Sequence, residues 1–521
     1  MSDSFDKRLQ ALSDSANRAL LNQSLKGVEK ESLRITPTGR LAQTPHPRAL
    51  GSALAHPYIT TDYSEALLEL ITPPYADQDA ALHCLDDVHR FIYHNIGEEM
   101  LWTTSMPCIT GSDDAIPIAQ YGSSNVGKMK HVYRVGLAYR YGRRMQAIAG
   151  MHFNYSMPGA FWPLLREIDA SDNPLDQFIA ENYFRLIRNF QRTGWLIPYL
   201  FGSSPAVCKS FLDGTPDLKE LDKNTWYAPF GTSLRMSDIG YKNKAQADLN
   251  ISYNDLETYI AGLTRAIETE DPEYAKIGVI VDGEYRQLNA NVLQIENEYY
   301  SFIRPKNIAH SGEKPTLALR RRGVKYVEVR ALDIDIFEPT GVSPTQIRFL
   351  ESYLISSLLD DSPVISADEQ REINHNQTLV ACCGRDPDLK LRRRGKEVRL
   401  TDWAREIYTR IASVSELLDA GRSDSAYGQA CELQLESIKD PDQTPSAKIL
   451  TAMRDNRDSF FEFGMRMAEQ HKDHFASRPL DAERENHFKQ CALDSLAKQR
   501  NIEEADEISF AEYLENYFRQ K

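Results

Sequence analysis

No run in this chain approaches the ~18 apolar residues that a membrane-spanning helix requires, so no membrane partner is expected. Its opening, "MSDSFDKRLQALSDSANRALLNQ", lacks the apolar core of a secretory leader. It has instead the pattern of an amphipathic helix with Phe5, Leu9 and Leu12 on one face. A cytoplasmic location is the resulting expectation. Cysteine is scarce: seven residues, an odd number, with only Cys382–Cys383 close together and no CxxC spacing. Neither a disulfide framework nor a structural zinc site is indicated. Positive charge is in deficit, 61 basic against 75 acidic residues for a net charge of −14, which argues against nucleic-acid or anionic-lipid partners. The phosphate-cradling pattern GxxxxGK[ST] is missing too. "GSSNVGK" at 122–128 imitates it, but no Ser or Thr follows the lysine and no apolar strand precedes it. Any nucleotide must then be held by other means.

What remains is a chain of 521 residues, 41% hydrophobic, able to bury a large core. Internal repeats and low-complexity linkers are absent, which favours a single compact catalytic unit over 1–521. Short strands with polar alternate positions are predicted at 28–35, 66–71, 147–156, 277–281, 288–295 and 324–334. That alternation suits an antiparallel sheet with one wet face. Helices are predicted at 78–95, 175–193 and 254–268. The part from about 20 to 360 is thus mixed, and about 361–521 is mainly helical. There, Trp403, Ile407, Ile411, Val414 and Leu418 form one stripe behind a Thr or Asp cap, and similar patterns recur near 445–472, 480–499 and 507–518.

Several strands carry acids on the polar face. "KGVEKESLRI" (26–35) sends Glu29 and Glu31 to one side. "ITTDYSEALLELITP" places Asp62 in a turn and Glu69 on a strand, and "GMHFNYSMP" alternates His152, Asn154 and Ser156 with Phe153 and Tyr155. "KYVEVRALDID" pairs Glu328 with Arg330, and "LQIENEYYS" sets Glu296, Glu298 and Tyr300 on one parity. Each alone fits a solvated scaffold. If the faces converge, two carboxylates ~5 Å apart repel by about 3 kcal/mol at an effective dielectric of ~20. Such a cluster binds protons or recruits cations. Oxygen ligands with an occasional imidazole suit Mg²⁺ or Mn²⁺ better than zinc. With an arginine fork for phosphate added, the combination describes a phosphoryl-transfer site.

The motifs "GVEKESLRI", "LGSALAHPYITTDYSEALLELITP", "MHFNYSMP", "GTSLRMSDIGY", "NANVLQIENEYYSFIRPK" and "YVEVRALDID" closely resemble the proteobacterial glutamate–cysteine ligases, the γ-glutamylcysteine synthetases that begin glutathione biosynthesis. The likeness is dense from about residue 20 to 360. It implies an α+β, glutamine-synthetase-like fold, a curved antiparallel sheet forming a funnel with helices packed outside. It also implies a monomer that uses ATP to join the γ-carboxyl of glutamate to the amine of cysteine through a γ-glutamyl phosphate. By matching motif, Glu29, Glu31, Asp62, Glu69, His152 and Glu328 are implied metal ligands. Arg330 is the implied clamp on the γ-phosphate, a role Arg134 shares. For glutamate the resemblance implies Arg235 at the α-carboxylate, with Gln146, Asn154 and the backbone of Ile148 at the amino end. Tyr63, Tyr133, Tyr241 and Tyr300 form the implied cysteine pocket.

Two departures stand out. Position 63 is Tyr where relatives often have Phe, which adds a hydroxyl, and the basic runs Arg320–Arg322 and "KLRRRGK" (390–396) read as solvated surface. The chain also stops short of the extra ATP-grasp domain of fused enzymes, so only the first step is expected. The alternatives are a related carboxylate–amine ligase using another amine, and a non-catalytic metal or amino-acid binding protein.

Overall fold

The structure, a computed structural model, describes residues 3–107, 109–212, 214–240, 249 and 251–520. Seven strands build the main sheet: β1 (Leu25–Ile35), β2 (Ile59–Thr61), β3 (Leu67–Ile71), β4 (Met100–Leu101), β5 (Met151–Ser156), β6 (Ile303–Lys306) and β7 (Tyr326–Leu332). They run in the order β6-β7-β5-β1-β3-β2, with β4 pairing the end of β1, and every pairing is antiparallel. The register of β7 against β5 slips between Val329 and Leu332. Such an irregularity bends a strand and re-aims its side chains, and Arg330 sits there.

The central strand β1 is buried on both faces, not solvated on one. Its alternation sends Glu29 and Glu31 up and Lys26, Lys30 and Arg34 down. The three buried cations all have partners. Lys26 Nζ lies 2.9 Å from Glu351 Oε1, Lys30 Nζ donates to His89 Nε2 at 2.9 Å, and Arg34 Nη1 meets Glu99 Oε2 at 2.5 Å. Burial without such partners would cost several kcal/mol per charge. Below the sheet, helix Gln78–Asn95 packs on β1 and β3, and Leu175–Thr193 packs on β6. The first buries the predicted Leu82, Leu85, Val88 and Ile92.

Helix Leu400–Asp419 buries all five residues of the predicted stripe, although it starts before Thr401 and has no side-chain cap. The single pattern at 445–472 resolves into two helices, Pro445–Asn456 and Phe460–Ala476. Arg457 turns left-handed (φ 58°) between them, and Ser459 with Glu462 forms a capping box that starts the second. No strand spans 288–295. Glu296–Glu298 is one 3₁₀ turn, in which Glu298 is held by Arg140 and Tyr141, and Glu296 by Thr316. Five described cysteines are free thiols, and Cys208 is disulfide-bonded, a bond the cysteine spacing did not indicate. No described helix is long and apolar enough to cross a membrane.

Candidate active site

Above the sheet lie two adjoining cavities of about 390 Å³ each. All six acid and imidazole residues singled out above line one of them. Register explains why. Glu31 stands opposite Glu69 across β1 and β3, Glu29 opposite His152 across β1 and β5, and Glu328 beside Asn154 across β7 and β5. Even spacing along each strand keeps them on one face.

The hydrogen bonds leave atoms available for a cation. His152 Nδ1 donates to Glu29 Oε2 at 3.0 Å. That bond holds the imidazole ring in place, as an outer partner of a metal-binding histidine does. Nε2 is buried and accepts no hydrogen bond, and Glu328 Oε2 is likewise buried without one. One ligand atom each from Glu29, His152 and Glu328 lie within 4.8 Å of one another, so the three can approach a single cation. Asn154 Nδ2 donates to Glu29 Oε1 at 2.7 Å, and the Gly150 amide donates to Glu31 Oε2 at 2.6 Å. These bonds orient the carboxylates and leave further lone pairs open.

The electrostatics divide the acids into two kinds. Burial raises the Glu69 carboxyl well above its ordinary value, and the nearby charges of Glu29, Asp62 and Glu31 raise it further. Burial also raises Glu31. For Glu328, burial is outweighed by Lys306 (3.3 Å) and Arg330 (3.5 Å), which hold it low. Glu29 is held below the usual range too, where burial is outweighed by the His152 hydrogen bond. Crowded carboxylates of this kind are what a divalent cation relieves. The donor set fits an oxygen-seeking metal.

The second cavity is lined by Tyr63, Tyr133, Gln146 and Tyr300, with Leu137, Tyr141 and Met145. Tyr63 is 1% exposed and its Oη has no hydrogen-bond partner. Glu31, Asp62, Tyr133, Asn297, Arg134, Arg304 and Arg330 line both cavities and form their shared wall. Three guanidinium groups therefore stand where the cavities meet. Arg134 rises from helix Asn125–Tyr141 and hydrogen-bonds the carbonyl of Asp62. Arg330 stays charged because Glu328 and Glu31 outweigh the effect of its burial.

Other candidates sit elsewhere. Arg235 lies beneath the wall at 1% exposure, with Nη2 donating to the Arg330 carbonyl at 3.0 Å and Nη1 3.8 Å from Asp333. A Cβ on Gly150 would fall 2.1 Å from that Nη2, so only glycine admits the guanidinium there. Ile148 is fully buried, and Tyr241 lies outside the described residues. Sequence reasoning assigned no role to Arg304, Lys306 or Lys130, yet all three line the first cavity. The run "FIRPK" was visible within a matched motif, but Lys130 carried no local signal. Burial and the nearby Arg134 push that lysine down to about 8.

Comparison with known proteins agrees with this geometry. The glutamate–cysteine ligase family model matches residues 9–380. The chain is 50% identical over 520 residues to the glutamate–cysteine ligase of Alcanivorax borkumensis, covering 99% of both chains. It is 48% identical over 518 residues to that of Pseudomonas putida, covering 99% and 98%. A crystal structure of the Francisella tularensis glutamate–cysteine ligase in complex with AMP superimposes with a TM-score of 0.90 at 38% identity, covering 95% of this chain and 98% of that one. Full-length identity of this order, with the polar sheet face in place, has one consequence: the chain belongs to the glutamate–cysteine ligase family.

Proposed function

We propose that the two cavities divide the ligation of glutamate and cysteine between them, with the acid-lined one taking the phosphates of ATP and the tyrosine-lined one the amino acids. The observation that carries this reading is the shared wall, where Arg134, Arg304 and Arg330 face both cavities. A γ-carboxylate and a triphosphate repel each other, and fixed guanidinium groups at their meeting point offset that repulsion. The carboxylate oxygen attacks the γ-phosphorus, ADP leaves, and an acyl phosphate forms. The cysteine amine then attacks the acyl carbon, the carbon–oxygen bond to phosphate breaks, and the amine gives up a proton.

Glu29, Glu31, Asp62, Glu69, His152 and Glu328 are the residues we assign to Mg²⁺, or Mn²⁺, on the strength of their donor chemistry. Such an ion supplies positive charge to the phosphates when bound. Arg330 and Lys306 flank Glu328 and can turn to the transferring phosphate. Arg235 serves the α-carboxylate of glutamate, with Gln146, Asn154 and the Ile148 backbone at its amino end. Tyr63, Tyr133, Tyr241 and Tyr300 enclose cysteine, whose small thiol packs against ring faces. We read the enzyme as a monomer. We assign the enzyme to the cytoplasm.

ADP formation with each substrate omitted in turn tests the reading. Production must require glutamate, ATP, a divalent cation and an amine, with cysteine clearly preferred among amines. Another preferred amine would identify a related carboxylate–amine ligase instead.

A further inference from the structure

One buried acid close to the site belongs to neither cavity. Asp333 follows the end of β7 within the motif "YVEVRALDID", and the sequence assigned it no role. It is buried and lines neither the acid-lined cavity nor the tyrosine-lined one. A carboxylate taken out of water needs partners, because an unpaired one costs several kcal/mol. Asp333 Oδ2 accepts from the Ser203 amide at 2.8 Å and from Ser204 Oγ at 2.6 Å. Oδ1 accepts from Ser233 Oγ at 2.9 Å, and Arg235 Nη1 stands 3.8 Å from it, at ion-pair distance.

These partners converge on Arg235. Ser233 caps the 3₁₀ turn Leu234–Met236 that carries it, with Oγ accepting from the Met236 amide at 3.3 Å. Ser204 is bridged in parallel to Ser233, and the Leu234 amide donates to the Ser204 carbonyl at 2.7 Å. Asp333 therefore ties together both serines beside the turn. At the head of the side chain, Arg235 Nη2 donates to the Arg330 carbonyl, where the register of β7 slips, and Gly150 leaves the space. The guanidinium thus meets a carboxylate at Nη1 and a carbonyl at Nη2. Because the group is planar, contacts at two of its nitrogens set its plane.

We infer that Asp333 is a positioning residue for glutamate: through Ser204, Ser233 and its own charge, it sets the plane of the Arg235 fork that receives the α-carboxylate. The inference rests on the reading that Arg235 serves that carboxylate. Asp333 touches no substrate and acts only through Arg235. A guanidinium grips a carboxylate with two parallel hydrogen bonds only when the two planes agree, so a fork left to swing holds the same anion less tightly. The reacting γ-carboxyl lies at the other end of glutamate, and the loss therefore falls on KM for glutamate rather than on kcat.

The test is a double-mutant cycle read as KM for glutamate in ADP formation. Asp333→Asn keeps the shape of the side chain and removes its charge. It is expected to raise KM for glutamate about tenfold, with kcat and KM for ATP changed less than about threefold. Arg235→Lys replaces the fork by a point charge that has no plane to set, and should raise KM for glutamate by a similar factor. In that background Asp333→Asn should add less than about twofold. A merely structural Asp333 would add its full factor to the lysine variant. That result, or an unchanged KM in Asp333→Asn alone, would overturn the inference. If thermal melting shows that Asp333→Asn has failed to fold, Ser233→Ala, which removes one tether from the same carboxylate, replaces it in the cycle with the same outcomes. A normal KM for glutamate in Arg235→Lys would remove the assignment of Arg235 to glutamate, and the inference with it. A raised KM there beside a normal one in Asp333→Asn would remove the positioning role alone.

Discussion

Arg330 illustrates how single residues carry the site. Glu328 and Glu31 keep its guanidinium charged, so it acts as a fixed cation and not as a proton donor. Arg330→Ala is expected to lower turnover about 10²- to 10³-fold, the usual cost of removing one preorganised charge partner. The melting temperature should change little, because Lys306 still faces Glu328. Near-normal ADP production would reject the clamp. Gly150 makes the complementary case, acting through space it does not fill. Gly150→Ala would push the Arg235 guanidinium aside. We expect KM for glutamate to rise about tenfold, the equivalent of one weakened charged hydrogen bond, with KM for ATP far less affected. An unchanged KM for glutamate would separate Arg235 from that substrate.

Among the elements, β1 joins function to stability. Its upward acids build the site and its downward lysines anchor the sheet. Glu351, fully buried in helix Pro344–Leu359, accepts hydrogen bonds from Ser24 (2.6 Å) and Tyr427 (2.7 Å) while pairing with Lys26. Glu351→Ala would leave Lys26 buried and unpaired, at an expected cost of about 3–5 kcal/mol in urea unfolding. Replacing both partners, as Lys26→Met with Glu351→Leu, should recover much of it; no recovery would mean the network is not the source of the loss. The alternation of "KGVEKESLRI" revealed the strand and its acidic face. The fate of its lysines was illegible, because the partner of Lys26 comes from a distant helix. The same alternation misled at 288–295, since a 3₁₀ turn that gives Glu298 to Arg140 has local polarity like that of a strand. Tyr513 was hidden for another reason. An aromatic residue at helical spacing looks like core, and only tertiary packing shows that it lines the acid-lined cavity.

For the molecule as a whole, charge of one sign is gathered in one place. The net charge of −14 is distributed over the chain, but the sheet face concentrates carboxylates that raise one another's proton affinity. The helical C-terminal part reaches both sides of the sheet. Helix Phe460–Ala476 packs on Gln78–Asn95, Ala482–Glu504 runs beside it, and Phe510–Arg519 returns to Asn125–Tyr141. The family model ends at residue 380, and the full-length relatives cover the remainder.

The most direct test is Mn²⁺ binding followed by electron paramagnetic resonance in the wild type and in Glu29→Gln, Glu69→Gln and Glu328→Gln, without substrates. Convergence of three strands on shared cations predicts bound Mn²⁺ in the wild type and weaker binding in every variant. A wild type that binds none, or three variants that bind as it does, would contradict the account.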